Sequence, residues 1–409
     1  MLVKPTTVRL EATVARSERL ALIEEIQRKR GSSVISYITS DRRNLQVPMA
    51  GDVLPILHQH IVDLELSDSP RIDLVIYSRG GDSNVPWTIA SMFREYSKGG
   101  SFSVLIPYRA HSAATMVAIG ADEIVMSRKA ELGPIDITMQ GPHNEVDAGG
   151  NPKPISVEDV MGFMALAKEV VSDASDHRAQ AFRQLADRVH PLALGKTHRS
   201  RQQTELVAMR LLSTRAAPLD DERNAEIARQ LASKIFSHEH TVSRSEAIEK
   251  LGIEFITPAE DADIDHELWD LYREYEAIFS LNAPFDPDSH MIATGAQEHV
   301  WDDLPIACVE SISRLDVARQ SIRVRAVRAV PPQIQLNLNN LSMPTINVPQ
   351  LPPGITAAEL QQLVQQLVSQ LVPQAIRAAV DQASDRFLSS LPLTGYQRIA
   401  YRARWEQEG

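Results

Sequence analysis

The chain is short of cysteine, aromatics and positive charge. It has one cysteine, Cys308, in 409 residues, which excludes an intramolecular disulfide and a cysteine-built zinc cluster. That usage fits a reducing compartment, with the cytoplasm as the default expectation. Aromatic residues amount to 5%, too few for the stacking platforms that bind single-stranded nucleic acid. No stretch approaches the roughly 20 consecutive apolar residues that a membrane span needs. The opening MLVKPTTVRLEATVARSERL is broken by charge every few residues and offers no apolar core for a signal peptide. Lys+Arg 42 against Asp+Glu 53 leave a net charge of −11, the opposite of the basic footprint of a general phosphate-backbone binder. What is present is ordinary globular chemistry: 43% hydrophobic and 23% charged residues. At about 150 residues per domain, the length corresponds to two or three domains.

The apolar pattern predicts an α/β fold. Residues 20–29 and 52–64 carry helical spacing, the second with Val53, Leu54, Ile56, Leu57, Ile61, Val62 and Leu64 on one side. Between them, SVISYI (33–38) reads as a short strand. IDLVIY (72–77), FSVLIP (102–107) and EIVM (123–126) are short, nearly continuous apolar runs, the signature of strands covered on both faces. Helical spacing at 85–96 and a small-residue apolar helix at 112–121 separate these runs, which predicts a parallel sheet with helical crossovers over residues 1–154. Residues 155–330 read as a helical elaboration with helices near 157–172, 177–189, 201–212 and 222–236, and a capped short helix at 243–251. A return to the sheet is expected at 291–294 and 306–312. Residues 331–409 form the third region. Its first part, 331–358, has no charged residue and is rich in proline, asparagine and glutamine, a linker composition. An amphipathic helical tail is expected at 357–372, where Leu360, Leu363, Val364, Leu367, Val368 and Leu371 make an apolar stripe. A stripe of that kind after a linker suggests self-association, and its glutamine-rich polar face argues against membrane binding. The five arginines from Arg314 to Arg328 alternate with apolar residues and read as a solvated strand face or an oligomer contact, ahead of nucleic acid.

The chemistry concentrates at two strand ends. Ser78-Arg79-Gly80-Gly81-Asp82 follows one strand, and its glycines allow backbone amides to turn outward and another group to come close. Arg109-Ala110-His111-Ser112-Ala113-Ala114-Thr115 follows the next strand and puts a serine at a helix start, where free amides can stabilise an oxyanion. For Ser112 alone, an N-cap is the ordinary reading. The order strand, S-x-G-G, helix, strand, S-A-A-T, helix, A-D-E-I-V-M, L-G-P-I-D resembles the Clp and signal peptide peptidase A superfamily of serine peptidases, with its crotonase-like sheet. Within that superfamily it is most similar to the serine dehydrogenase proteinase family. Further matching stretches are His190-Pro191-Leu192-Ala193-Leu194-Gly195, and Ser237-His238-Glu239-His240 followed by Arg244, Glu246 and Ala247, so that the resemblance runs from about Ile26 to about Ile322. It implies Ser112 as nucleophile and the amides of Gly80, Gly81 and Ala113 as the oxyanion hole. It also implies ring-like or symmetric homo-oligomers and a protein or peptide substrate, with no cofactor.

The serine needs a base. Clp subunits use a histidine downstream of the serine, but Ile135-Asp136-Ile137-Thr138 supplies none here. Other relatives use Ser-Lys dyads. Lys153, just ahead of a predicted helix, stands in that kind of position and is the first choice; as base it would have to be desolvated enough to be neutral. His111, His143 and Asp136 are the alternatives. His238-Glu239-His240 lacks the spacing and third ligand of a zinc site, so no metal is expected. Arg79 replaces the proline of the S-P-G-G pattern and could read a substrate carboxylate or make a salt bridge. The two competing readings are a catalytically silent peptide-binding scaffold on the same fold and a crotonase-like acyl-CoA enzyme.

Overall fold

A computed structural model gives the structure of the protein. It describes residues 6–135, 138–139, 155–170, 175–234, 240–329 and 390–408, together with isolated positions between 361 and 387. The helices are α1 (Thr6–Arg30), α2 (Leu54–Asp63), α3 (Val85–Tyr96), α4 (Ala113–Ile119), α5 (Val157–Val170), α6 (Ser175–Arg188), α7 (Pro191–Ser213), α8 (Asp221–Arg229), α9 (Arg244–Glu249), α10 (Asp265–Phe279) and α11 (Pro287–Thr294). The first strands are β1 (Ser33–Thr39), β2 (Asp41–Arg42), β3 (Leu45–Gln46), β4 (Arg71–Tyr77), β5 (Ser101–Ile106), β6 (Arg109–Ala110), β7 (Glu123–Met126) and β8 (Glu131–Leu132). They are followed by β9 (Thr138–Met139), β10 (Ile155–Ser156), β11 (Val242–Ser243), β12 (Ile256–Pro258), β13 (Glu298–Glu310), β14 (Leu315–Arg328) and β15 (Leu393–Glu408).

The main sheet has the order β12-β7-β5-β4-β1-β13-β14-β15. From β12 to β1 every neighbouring pair is parallel, and β13 joins β1 antiparallel. The continuous apolar runs of the sequence are explained by what covers them. Ile35 and Tyr37, Ile72, Leu74 and Ile76, Phe102, Val104 and Ile106, and Ile124 and Met126 face a core shared with α2, α3, α4, α7 and α8. The alternate residues Val34, Ile38, Val75, Tyr77, Leu105 and Val125 face a second core with α1 and α10. At roughly 1.5–3 kcal/mol for each large side chain fully buried, these two layers hold the sheet rigid from both sides. A mixed α/β architecture with a parallel sheet and helical crossovers is therefore what the chain folds into.

Two compact units are present. The first comprises Met1–Phe285, Asp303–Gln320 and Ala403–Gly409, and the second comprises Asp286–Asp302 and Ser321–Arg402. In the second unit, α11 is capped by Asp286, which accepts from Ser289 N at 3.1 Å. The outer parts of the long strands are held there by Ala326 N to Gln297 O (2.9 Å) and Ala329 N to Pro392 O (3.0 Å). The arginine-rich stretch is β14, and Arg325 pairs with Glu298 across the strands, as a solvated strand face does.

Two expectations are corrected, and one helix was not foreseen. Residues 291–294, read as strand, belong to α11, where Pro287 at the first turn and the Asp286 cap favour a helix start. The end of the expected helical tail is the 16-residue strand β15, where Tyr401, Ala403 and Trp405 alternate with Arg402, Arg404 and Glu406 at period two. Helix α10 was not anticipated at all. The amphipathic helix expected at 357–372 lies outside the described residues apart from isolated positions. Among the described residues, no helix is long and apolar enough to cross a membrane.

The first unit also buries a histidine between a hydroxyl and a carboxylate. His60, on α2, is fully enclosed, with Nδ1 2.9 Å from Ser311 Oγ and Nε2 3.0 Å from Asp316 Oδ2. Burial pushes its pKa down and outweighs the attraction of Asp316, leaving it at about 4. The folded state thus resists a proton that the unfolded chain takes up near pH 6.5. The resulting stability is fully present above pH 6.5 and is lost as the pH falls toward 4, by at most about 3 kcal/mol. Urea unfolding of wild type and His60→Gln should show a pH slope in that window which the variant lacks.

Candidate active site

Both loops singled out in the sequence meet at the carboxyl ends of neighbouring parallel strands. β4 and β5 are in register, Val75 opposite Leu105. Beyond them Ser78 and Ala110 make a further parallel bridge, with Ser78 N donating to Arg109 O (3.1 Å) and His111 N to Ser78 O (3.0 Å). This extension brings the diglycine bend against Ser112. A Cβ on Gly80, at φ +92°, would lie 2.6 Å from both Ser112 Cβ and His111 O, so only glycine fits. A Cβ on Gly81 would lie 2.1 Å from Met49 O. The Met49 backbone also holds the bend from that side, donating to Gly80 O (2.7 Å) and accepting from Asp82 N (2.9 Å).

Ser112 occupies the N-cap position of α4 without capping it: its side chain makes no cap hydrogen bond. Its backbone is at φ 52°, ψ −117°, a conformation that costs a non-glycine residue about 1–3 kcal/mol and clusters at functional sites. The residue is partly exposed. Its hydroxyl has no hydrogen-bond partner among the described residues. The amides of Gly81 and Ala113 likewise have no acceptor among the described residues, whereas the Gly80 amide donates to Ser78 Oγ at 3.0 Å. Thr115 secures the neighbouring turn, its Oγ1 donating to Ala110 O (2.6 Å) and Gly133 O (2.9 Å).

A charged network borders the serine. His111 Nε2 lies 3.2 Å from Glu131 Oε1, and its ring packs over Gly133, where a Cβ would come within 2.7 Å. Arg109 donates from Nε to Glu131 (2.8 Å) and from Nη1 to Asp41 (2.8 Å). Burial pushes the Glu131 carboxyl up, but the adjoining His111 ring and the Arg109 hydrogen bond outweigh this and hold it below the usual range. Arg79 makes the salt bridge that was one of its two readings, with Nε 3.2 Å from Asp41 Oδ2 and its side chain half exposed. Thr39, Asp41, Met49 and Glu131 were missed by sequence reasoning. The signal that could have found the first two is their place at and just past the end of β1, since the carboxyl ends of parallel strands gather the site.

Lys153, Asp136 and His143 lie outside the described residues. So do His238 and Glu239, while His240 Nε2 faces Glu246 at 3.1 Å. Among the described residues, no group of three or more His, Cys, Asp or Glu could hold a metal ion.

The chain is 27% identical over 249 residues to an uncharacterized protein of Methanocaldococcus jannaschii, covering 59% of this chain and 72% of that protein. Solved structures similar to it include a membrane-bound stomatin-specific protease in complex with a substrate peptide, 14% identical with a TM-score of 0.32, covering 55% of this chain and 76% of that one. Another is ClpP1 from Listeria monocytogenes, 12% identical with a TM-score of 0.30, covering 57% of this chain and 95% of that one. Residues 1–159, which contain the diglycine bend and Ser112, match the family model described as ClpP-like SDH-type serine proteinase.

Proposed function

We propose that the protein is a serine endopeptidase that cleaves peptide bonds through an acyl-enzyme on Ser112. Ser112 Oγ attacks the scissile carbonyl carbon, and the negative charge developing on the carbonyl oxygen is met by the amides of Gly81 and Ala113. Water then releases the acyl group. We assign Lys153 as the base that takes the serine proton and returns it to the leaving amine, a Ser-Lys dyad that requires a desolvated, neutral lysine. No metal or organic cofactor takes part in this chemistry. Assembly into a homo-oligomer is part of the proposal, on the ground of the apolar stripe in residues 357–372.

The observation that carries the reading is the state of Ser112. A serine at a helix start ordinarily spends its hydroxyl on capping. This one does not, and it stands at positive φ against a diglycine bend. An idle hydroxyl in a strained backbone is what a nucleophile requires and what packing alone would not select. The test is incubation with a fluorophosphonate followed by peptide mapping. The reading expects one adduct, on the peptide containing Ser112. Correctly folded protein with no adduct would count for the peptide-binding scaffold instead, and an adduct on another serine would remove Ser112 as the nucleophile.

A further inference from the structure

Two enclosed hydroxyls beneath the diglycine bend take no part in the chemistry above. Thr39 ends β1 and Ser78 follows β4. Thr39 Oγ1 donates to Ser78 Oγ at 2.9 Å, and Ser78 Oγ also accepts from Gly80 N at 3.0 Å. Both residues are shut off from solvent, at 1% and 0% exposure. Burying hydroxyls at strand ends whose neighbours are Ile and Tyr costs free energy unless their hydrogen bonds are made. Here the bonds made are with each other and with the bend.

The bond from Gly80 N to Ser78 Oγ closes a local turn over Arg79, the kind of side-chain-to-backbone contact that fixes a loop's conformation. On the other side of the same residue, Gly80 O accepts from Met49 N at 2.7 Å. The peptide groups before and after Gly80 are therefore each tied to a neighbour. Of the two diglycine amides, only that of Gly81 is left without an acceptor among the described residues. We infer that the Thr39–Ser78 hydroxyl pair is a positioning device: it ties down the Gly80 amide and thereby aims the Gly81 amide at the oxyanion. Gly80 contributes the absence of a side chain, and its N–H is not a hole donor. This inference rests on the serine-peptidase reading of Ser112 and assigns the hole's supporting residues.

The magnitude follows from what positioning is worth. Losing one oxyanion donor costs about 10²- to 10³-fold in rate, and misplacing a group by about 1 Å can cost about 10²-fold. The measurement is the rate of fluorophosphonate labelling at saturation (kinact) and the half-saturating concentration (KI), with the fold monitored by circular dichroism. Ser78→Ala should lower kinact by about 30- to 100-fold and leave KI within about twofold, because the reagent's phosphoryl oxygen needs the aligned amide only as it is phosphonylated. Thr39→Val, which keeps the shape and drops the hydroxyl, should lower kinact by about 10-fold, and Thr39→Ser should restore it. A general packing defect would not distinguish serine from valine in that order. Folded Ser78→Ala with wild-type kinact overturns the inference, as does a loss confined to KI. If Ser78→Ala does not fold, Thr39→Val labelling at the wild-type rate overturns it equally. Wild-type protein that fails to label brings down the peptidase reading itself, an outcome separate from labelled wild type with unaffected variants.

Discussion

Ser112→Ala is expected to abolish fluorophosphonate labelling and to lower peptide hydrolysis by about 10³-fold or more, without lowering the melting temperature. The rate loss follows because no other step can replace the covalent intermediate, and the hole and binding groove alone leave only a small residual rate. The unchanged melting temperature follows because the hydroxyl makes no hydrogen bond among the described residues. Alanine suffers the same backbone strain as serine at φ 52°. Ser112→Gly carries the argument further. Glycine in an ordinary position costs about 0.5–1 kcal/mol through the unfolded chain's extra freedom. Here it also releases about 1–3 kcal/mol of strain, so the net expectation is a gain of about 1 kcal/mol in urea unfolding together with complete loss of labelling. Stability rising as activity disappears would mark strain held for function. Wild-type labelling in Ser112→Ala would end the account of Ser112 as nucleophile.

What the sequence made legible was whatever is local in the chain. The strands 33–38, 72–77, 102–107 and 123–126 were visible because burial on both faces leaves a continuous apolar run, and each is a strand of the sheet at close to those limits. The cap of α9 was visible because Ser243 and Glu246 are three residues apart, and Glu246 N does donate to Ser243 Oγ at 3.3 Å. Helix α10 had a readable stripe, Leu268, Leu271, Tyr272, Tyr275 and Phe279, but charged residues between them diluted it. β15 lay past a linker-like stretch, where its two-residue alternation was absorbed into the expectation of a helical tail. At the site, the diglycine bend and Ser112 were legible because a glycine pair and a serine following buried strands are local motifs. The partners that fix them were not: Thr39 and Met49 reach the bend from about 30 to 40 positions away, through strand pairing alone. Nothing local marks a threonine as the support of a turn it meets only in the folded sheet.

The same limit hides a fully buried charge in the first unit, whose removal is the second large effect expected. Glu310 ends β13 opposite Ser36 of β1 and is fully enclosed in the layer of α1 and α10. Its carboxylate accepts from Arg19 Nε (2.6 Å) and Nη2 (3.1 Å) and from Tyr275 OH (2.9 Å), and Arg16 Nε lies 3.6 Å away. One carboxylate thus ties a strand to both covering helices, with Arg19 only 2% exposed. Glu310→Ala would strand a guanidinium in that layer without a counter-charge, and the expected cost is about 3–5 kcal/mol in urea unfolding. Adding Arg19→Met to Glu310→Leu should recover most of the loss, because removing both charges removes the desolvation penalty with them. Breaking the pair should also barely change with salt, since a buried pair is little screened. A cost below about 1 kcal/mol for Glu310→Ala would place this pair with solvent-exposed ion pairs in its energetics, and α1 would then be held to the sheet chiefly by Ile23, Ile26 and the pairing of Arg30 with Asp73 and Glu123.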